Sequence, residues 1–208
     1  NITRVLESGT WKDQSYFVME RVQGQDLRAL VQTWKDLPPV DRFVQAEQIL
    51  KQLVGALAYI HDRGLIHRDV SPSNIVITPE GKVKLMDFGV VKAPGQEVTA
   101  VGEMVGTVAY MAPEQAKGGT VTANADIYSL GIILFELLTG TVPYRSESML
   151  RVLMMHVSNT PPRLAELRPG LADVEGLQSA LDQLLTKDAA RRPDSGRAVE
   201  LLQELLNG

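Results

Sequence analysis

The sequence predicts an α+β, mainly helical fold, and three observations carry that prediction. Two short strand-like runs at the start are separated by polar turn residues. A long stretch from Val40 to Asp62 places apolar residues at helical spacing. Beyond a long loop rich in glycine, the rest of the chain reads as helix after helix.

Composition bounds the classes of function. With 208 residues, 44% of them hydrophobic, and a formal net charge of −4, the chain fits one large globular domain or two small ones. A pI near 5.4 and the lack of any Lys or Arg run give no electrostatic footprint for nucleic acid or anionic lipid. Zero cysteines exclude disulfides, thiolate-bound metal and thiol catalysis, and fit a reducing compartment such as the cytoplasm. The most apolar stretch, "IYSLGIILFELLTG" at 127–140, is shorter than the ~20 residues of a membrane span and contains Glu136, so it reads as a buried core helix.

Taken in order, "NITRVL" runs from Asn1 straight into a strand pattern, and the opening reads as a chain that begins inside a domain. "YFVME" (16–20) is a second strand, and the polar residues of "WKDQS" before it make a hairpin turn. Gly24 breaks the pattern, and Asp26 caps a short helix through Trp34 that stops before Pro38 and Pro39. In the long helix Ile49, Leu53, Leu57 and Ile60 share a face, with Gly64 at the expected stop. "IVIT" and "KVKLM" are short strands joined by "PEGK", a second hairpin. Residues 88–112 have no sustained period and read as a long loop, of a length that in a compact domain is usually functional or disordered. Helices over 126–139, 147–157, 176–186 and 195–206 complete the chain, the last with Ala198, Leu201, Leu202 and Leu205 on one face.

Three polar residues then call for a chemical explanation. Asp69 and Asn74 sit in the loop between the long helix and the second hairpin, and Asp87 ends that hairpin. Pairing of its strands brings Asn74 and Asp87 to one end, where two oxygen donors suit Mg²⁺ completed by phosphate oxygens. Asp69 is left to orient a hydroxyl and accept its proton. Each alone is more simply a turn residue; the three together are harder to read that way.

With these residues in view, the sequence resembles the eukaryotic-like (Hanks-type) Ser/Thr protein kinases in a bacterial style. "HRDVSPSN" (67–74) resembles the catalytic loop, "DFG" (87–89) the metal-binding turn, and "APE" (112–114) the end of the activation segment. "DIYSLGIILFELLTGTVPY" (126–144) resembles the central buried helix and "RRP" (191–193) the late arginine motif. The resemblance implies a kinase-like large lobe at 26–208, a hinge at 20–25 and a residual small-lobe hairpin at 1–19. It implies ATP and Mg²⁺ as cofactors, Mn²⁺ being an alternative ion, and a protein with Ser or Thr hydroxyls as substrate.

Residue by residue, the resemblance makes Asp69 the catalytic base and Asn74 and Asp87 the metal ligands. His67 and Phe88 stack in an internal spine anchored by Asp126, and Glu114 pairs with Arg192 as a structural ion pair. Arg68 is expected to be a buried guanidinium that meets a phosphate on the activation loop. Thr99 is then the candidate phosphosite and Thr107 a positional contact of the base, with dimerisation as a route to that phosphorylation. Met19 matches the gatekeeper, with ordinary core packing as its plainer reading. The backbone of Glu20 and Val22 would bond adenine, and Val76 would pack beneath it. His61 and His156 match no catalytic position and are read as ordinary helix residues.

Two departures qualify these expectations. Ser71 stands where most Ser/Thr kinases carry a lysine, which removes a cation from the transferring phosphate. That loss costs on the order of 10²–10³ in rate where one preorganised stabiliser has been removed elsewhere. The sequence also has no glycine-rich loop, no "VAIK"-like lysine and no partner glutamate, and Lys92 in "GVVK" follows the metal turn and cannot serve. The expectation is therefore a truncated kinase domain of low activity, exposing apolar surface at its cut edge. A pseudokinase or binding module is the alternative, and a small-molecule phosphotransferase of kinase-like fold ranks third because "GTVAYMAPEQAKGG" resembles a protein-substrate platform.

Overall fold

The computed structural model describes residues 1–12, 14–87, 108–172 and 174–207. The first predicted hairpin is formed by β1 (Val5–Trp11) and β2 (Gln14–Met19), antiparallel from Val5↔Met19 to Trp11↔Gln14 with a bulge after Val5. Strand alternation sends Tyr16 and Val18 to one face and Phe17 and Met19 to the other. All four are exposed, as are Leu6 and Trp11.

A second sheet has the order β3-β4-β5, all antiparallel, from β3 (Gln25–Asp26), β4 (Ile75–Ile77) and β5 (Val83–Leu85). Asn1 to Thr3 lie along β5, with Leu85 donating to the Asn1 carbonyl at 2.7 Å and Thr3 to the Leu85 carbonyl at 3.0 Å. Asp26 also caps α1 (Leu27–Thr33), its carboxylate accepting the Ala29 N–H at 2.7 Å. The expected cap and helix are both found.

The helical body is built on α2 (Pro39–His61) and α4 (Asn124–Thr139), which pack on each other; α4 follows the four-residue α3 (Pro113–Ala116). Ile49, Leu53, Leu57 and Ile60 are all buried, as their spacing requires. Nearly every residue of α4 is buried, Asp126 included, so this apolar stretch is a core helix. Two further helices, α5 (Met149–Ser158) and the short α6 (Leu164–Leu167), lead to α7 (Leu177–Leu184), which packs on α4; α8 (Ser195–Asn207) packs on α2. Arg42 joins three elements from within: its guanidinium donates to the Leu137 carbonyl at 3.3 Å in the last turn of α4 and to that of Trp34 at the end of α1. Among the described residues, no helix is long and apolar enough to cross a membrane.

Candidate active site

The site forms where α2, the start of α4 and the β4–β5 hairpin converge. Asp126, in the first turn of α4 and buried, accepts the backbone N–H of His67 on Oδ2 and that of Arg68 on Oδ1, both at 2.8 Å. Arg68 has φ +67°, a left-handed backbone that costs a non-glycine residue roughly 1–2 kcal/mol. Hydrogen bonds to a carboxylate contribute roughly 1.5–3 kcal/mol each, so Asp126 more than offsets that cost. The chain therefore turns at Arg68, and the turn sets the direction of Asp69.

His67 is fully buried and joins this loop to the hairpin. Its Nε2 donates to the Met86 carbonyl at 2.8 Å, and its Nδ1 accepts the Asp69 N–H at 3.3 Å, an assignment fixed by the carbonyl partner. Five residues on, Asn74 donates its side-chain amide to the Asp69 carbonyl at 2.8 Å. The backbone of Asn74 accepts from Met86 N at 2.8 Å, directly before the Ile75↔Leu85 pair of the ladder. Asn74 is thus pinned to Asp69 on one side and to the residue before Asp87 on the other. Asp87 is exposed, with φ +44°.

This donor set fits a hard divalent cation. Because the Asn74 amide nitrogen is committed to a carbonyl, Oδ1 is its free donor atom. Asp87 adds an exposed carboxylate at the same end of the hairpin. Among the described residues there is no group of three or more His, Cys, Asp or Glu, so a cation here is completed by phosphate or water oxygens, as Mg²⁺ sites commonly are.

Ser71 is buried. Its hydroxyl bonds that of Ser73 at 2.9 Å and its carbonyl accepts Asn74 N at 2.9 Å, so it shapes the turn. Arg68, expected buried, is exposed instead. A guanidinium goes into a protein interior only with partners for its charge, and among the described residues Arg68 has no ion pair. Phe88, Lys92, Thr99 and Thr107 lie outside the described residues.

The segment expected to be a hinge also differs in detail from expectation. Met19 is 37% exposed, so core packing is not its role. The hairpin that carries it has both faces in solvent. The Glu20 N–H is taken by the Arg4 carbonyl at 3.0 Å, which leaves the Glu20 carbonyl as its backbone group for a ligand. The Glu20 carboxylate pairs with Lys84 at 2.5 Å on β5, and that bond with the Arg4 N–H holds its pKa below the usual carboxylate value. Val22 follows, half-buried. A Cβ on Gly24 would lie 2.3 Å from the Ile77 carbonyl oxygen and 2.8 Å from Val76 Cγ1, so only glycine lets the chain settle onto β4 here. Val76 therefore lies directly beneath it.

On the far side of this loop, Arg192 is buried and forks onto the Glu114 carboxylate at 2.8 and 2.6 Å. Two histidines read as ordinary helix residues carry more than that. His61 Nε2 bonds Asp126 Oδ2 at 2.8 Å, supporting the carboxylate that shapes the loop. His156 is fully buried, with Nδ1 at 3.0 Å from the Tyr128 hydroxyl, and burial followed by the charge of Lys187 pulls its pKa down to about 4. Gln115, which the motifs did not mark, donates from Nε2 to the Arg68 carbonyl at 2.9 Å. These partners lie 65 and 47 positions apart for His61 and Gln115, beyond any local spacing signal.

Residues 1–206 match the family model described as protein kinase domain. The chain belongs to that family. It is 39% identical over 183 residues to the serine/threonine-protein kinase PknB of Mycobacterium tuberculosis, covering 86% of this chain and 28% of that protein. It is 38% identical over 196 residues to PknD of Mycobacterium tuberculosis (93% of this chain, 28% of PknD). It is 33% identical over 201 residues to PrkC of Bacillus subtilis (96% and 30%). The chain spans under a third of the length of these kinase relatives. Kinases of this family generally use ATP with a divalent metal ion.

Proposed function

We propose that this chain is the greater part of a Ser/Thr protein kinase catalytic domain, transferring the γ-phosphate of ATP to protein Ser or Thr hydroxyls. One observation carries the reading: Asn74 is bonded to the Asp69 carbonyl and to Met86 N, which gathers Asp69, Asn74 and Asp87 at one end of a hairpin. Asp69 orients the acceptor hydroxyl and takes its proton on the carboxylate. Asn74 Oδ1 and Asp87 would hold Mg²⁺ or Mn²⁺, and a bound ion neutralises charge on the phosphates. The Glu20 carbonyl and the Val22 backbone serve adenine from above, Val76 packs beneath it, and Met19 borders the pocket as gatekeeper. Residues 1–19 then act as a small-lobe hairpin, 20–25 as hinge and 26–208 as large lobe. His67 and Phe88 form the spine, and Thr99, with Arg68, regulates through phosphorylation between paired copies. Catalysis of this kind belongs in the cytoplasm, where ATP is supplied.

A second reading has its own support. Ser71 is buried and bonded to Ser73, so it offers no charge to a transferring phosphate. That favours a chain that binds nucleotide and transfers slowly or not at all. The deciding experiment measures labelled γ-phosphate transfer, with Mg²⁺, to the chain itself and to a Ser/Thr-rich protein, alongside nucleotide affinity. Asp69→Asn and Asp87→Ala serve as controls. Transfer lost in both controls supports the kinase; nucleotide binding without transfer supports the second reading; neither activity removes both.

A further inference from the structure

We infer that Gln115 is a positioning residue for Asp69, acting through the carbonyl of Arg68; this rests on the reading of Asp69 as the base. The Arg68–Asp69 peptide is a rigid plane, so fixing it fixes where the Asp69 side chain leaves the backbone. Asp126 holds Arg68 by its N–H at 2.8 Å, and the next peptide is held at its own N–H only by the longer bond to His67 Nδ1 at 3.3 Å. Gln115 holds the other end, its Nε2 donating to the Arg68 carbonyl at 2.9 Å. Arg68 sits in the left-handed region at φ +67°, where a non-glycine backbone relaxes unless held.

The second half of the same amide matters equally. Gln115 Oε1 accepts the N–H of Ala112 at 3.0 Å, the residue that opens "APE" and caps α3. One carboxamide therefore splices the turn that leads into α3 to the residue before the base. Gln115 and Asp69 also line one small cleft together with Tyr110 and Met111. A movement of the 110–115 turn is transmitted to the base through this amide.

The chemistry supplies a clean test. Glu at 115 keeps the oxygen that accepts from Ala112, as a capping residue does, but has no N–H for the Arg68 carbonyl. Gln115→Glu, whose carboxylate faces the Arg68 carbonyl oxygen, is therefore expected to lower the melting temperature slightly and keep the KM for ATP while kcat for transfer to a Ser/Thr-rich protein falls about tenfold. Gln115→Leu loses kcat and some melting temperature as well. Independently of activity, the ¹³Cα and carbonyl NMR shifts of Arg68 report its left-handed backbone and its acceptor bond, and both move in Gln115→Glu. Wild-type kcat in Gln115→Glu, or unmoved Arg68 shifts, overturns the inference. If the parent chain transfers no phosphate, the kinase reading fails by that result alone, and the Arg68 shifts decide the clamp without it.

Discussion

Arg192 donates all of its N–H groups: two to the Glu114 carboxylate and three to the carbonyls of Asn124, Thr186 and Lys187. Glu114 is itself largely buried, so Arg192→Ala strands a carboxylate and is expected to cost about 3–5 kcal/mol in urea unfolding. Arg192→Lys keeps the charge without the planar fork and should fall between the two. His156 tests linkage instead of pairing. Its folded pKa of about 4 lies below the ordinary 6.5, so between those values the unfolded chain binds a proton that the folded chain refuses. Stability from this group is whole above pH 6.5 and declines as pH falls toward 4, by up to about 3 kcal/mol. Tyr128 and Tyr144, whose rings meet His156 edge-on, and Lys187, which bonds both hydroxyls, surround the imidazole. His156→Gln should flatten the stability profile between pH 6.5 and 4 relative to wild type, and an unchanged difference in thermal melts would show that the ring is not the proton acceptor.

At the scale of the element, Gly131 decides how closely α7 meets α4. Glycine within a helix is about 1 kcal/mol worse than alanine, so propensity alone favours Gly131→Ala. A Cβ there would lie 2.8 Å from Leu185 Cδ2 and 2.9 Å from Leu184 Cβ, and the second atom has no rotamer to escape by. Overpacking of a tight core costs typically 1–3 kcal/mol, so the contact wins and the substitution is expected to lower stability by about 1 kcal/mol net. Circular dichroism melts check the sign. The same contrast explains which elements the sequence announces. Helix α2 carries enough turns to display a period, and its buried face follows from it, while α4 announces itself as an apolar run buried all round. The two residues of β3 and the four each of α3 and α6 are too short to show one. Gln25 and Asp26 become strand because the edge of β4 and the close approach at Gly24 offer them partners.

Across the whole molecule, the candidate site was legible where its parts are close in sequence. Asp69, Asn74 and the strands leading to Asp87 are linked by a turn and a hairpin, so their convergence follows from local rules. The supports of that site are not local: His61 reaches Asp126 and Gln115 reaches Arg68 only through packing of α2, α3 and α4, which no spacing encodes. The first hairpin was legible as strands, and the exposed apolar surface expected of it is present: Leu6, Trp11 and Phe17 are 54%, 63% and 45% exposed. Among the described residues this sheet has two strands, and a two-stranded sheet with apolar groups on both faces is a template for further pairing. This chain is therefore expected to associate with itself above about 10 μM, seen as concentration-dependent sedimentation. The double variant Trp11→Lys, Phe17→Lys places charge on both faces, and because neither side chain is buried its melting temperature should match the parent. Sedimentation of the variant as a monomer at every concentration, beside an associating parent, locates the association on the hairpin. A parent that stays monomeric sinks the idea, and it would mean that the twist and bulge of β1 are enough to protect its edge.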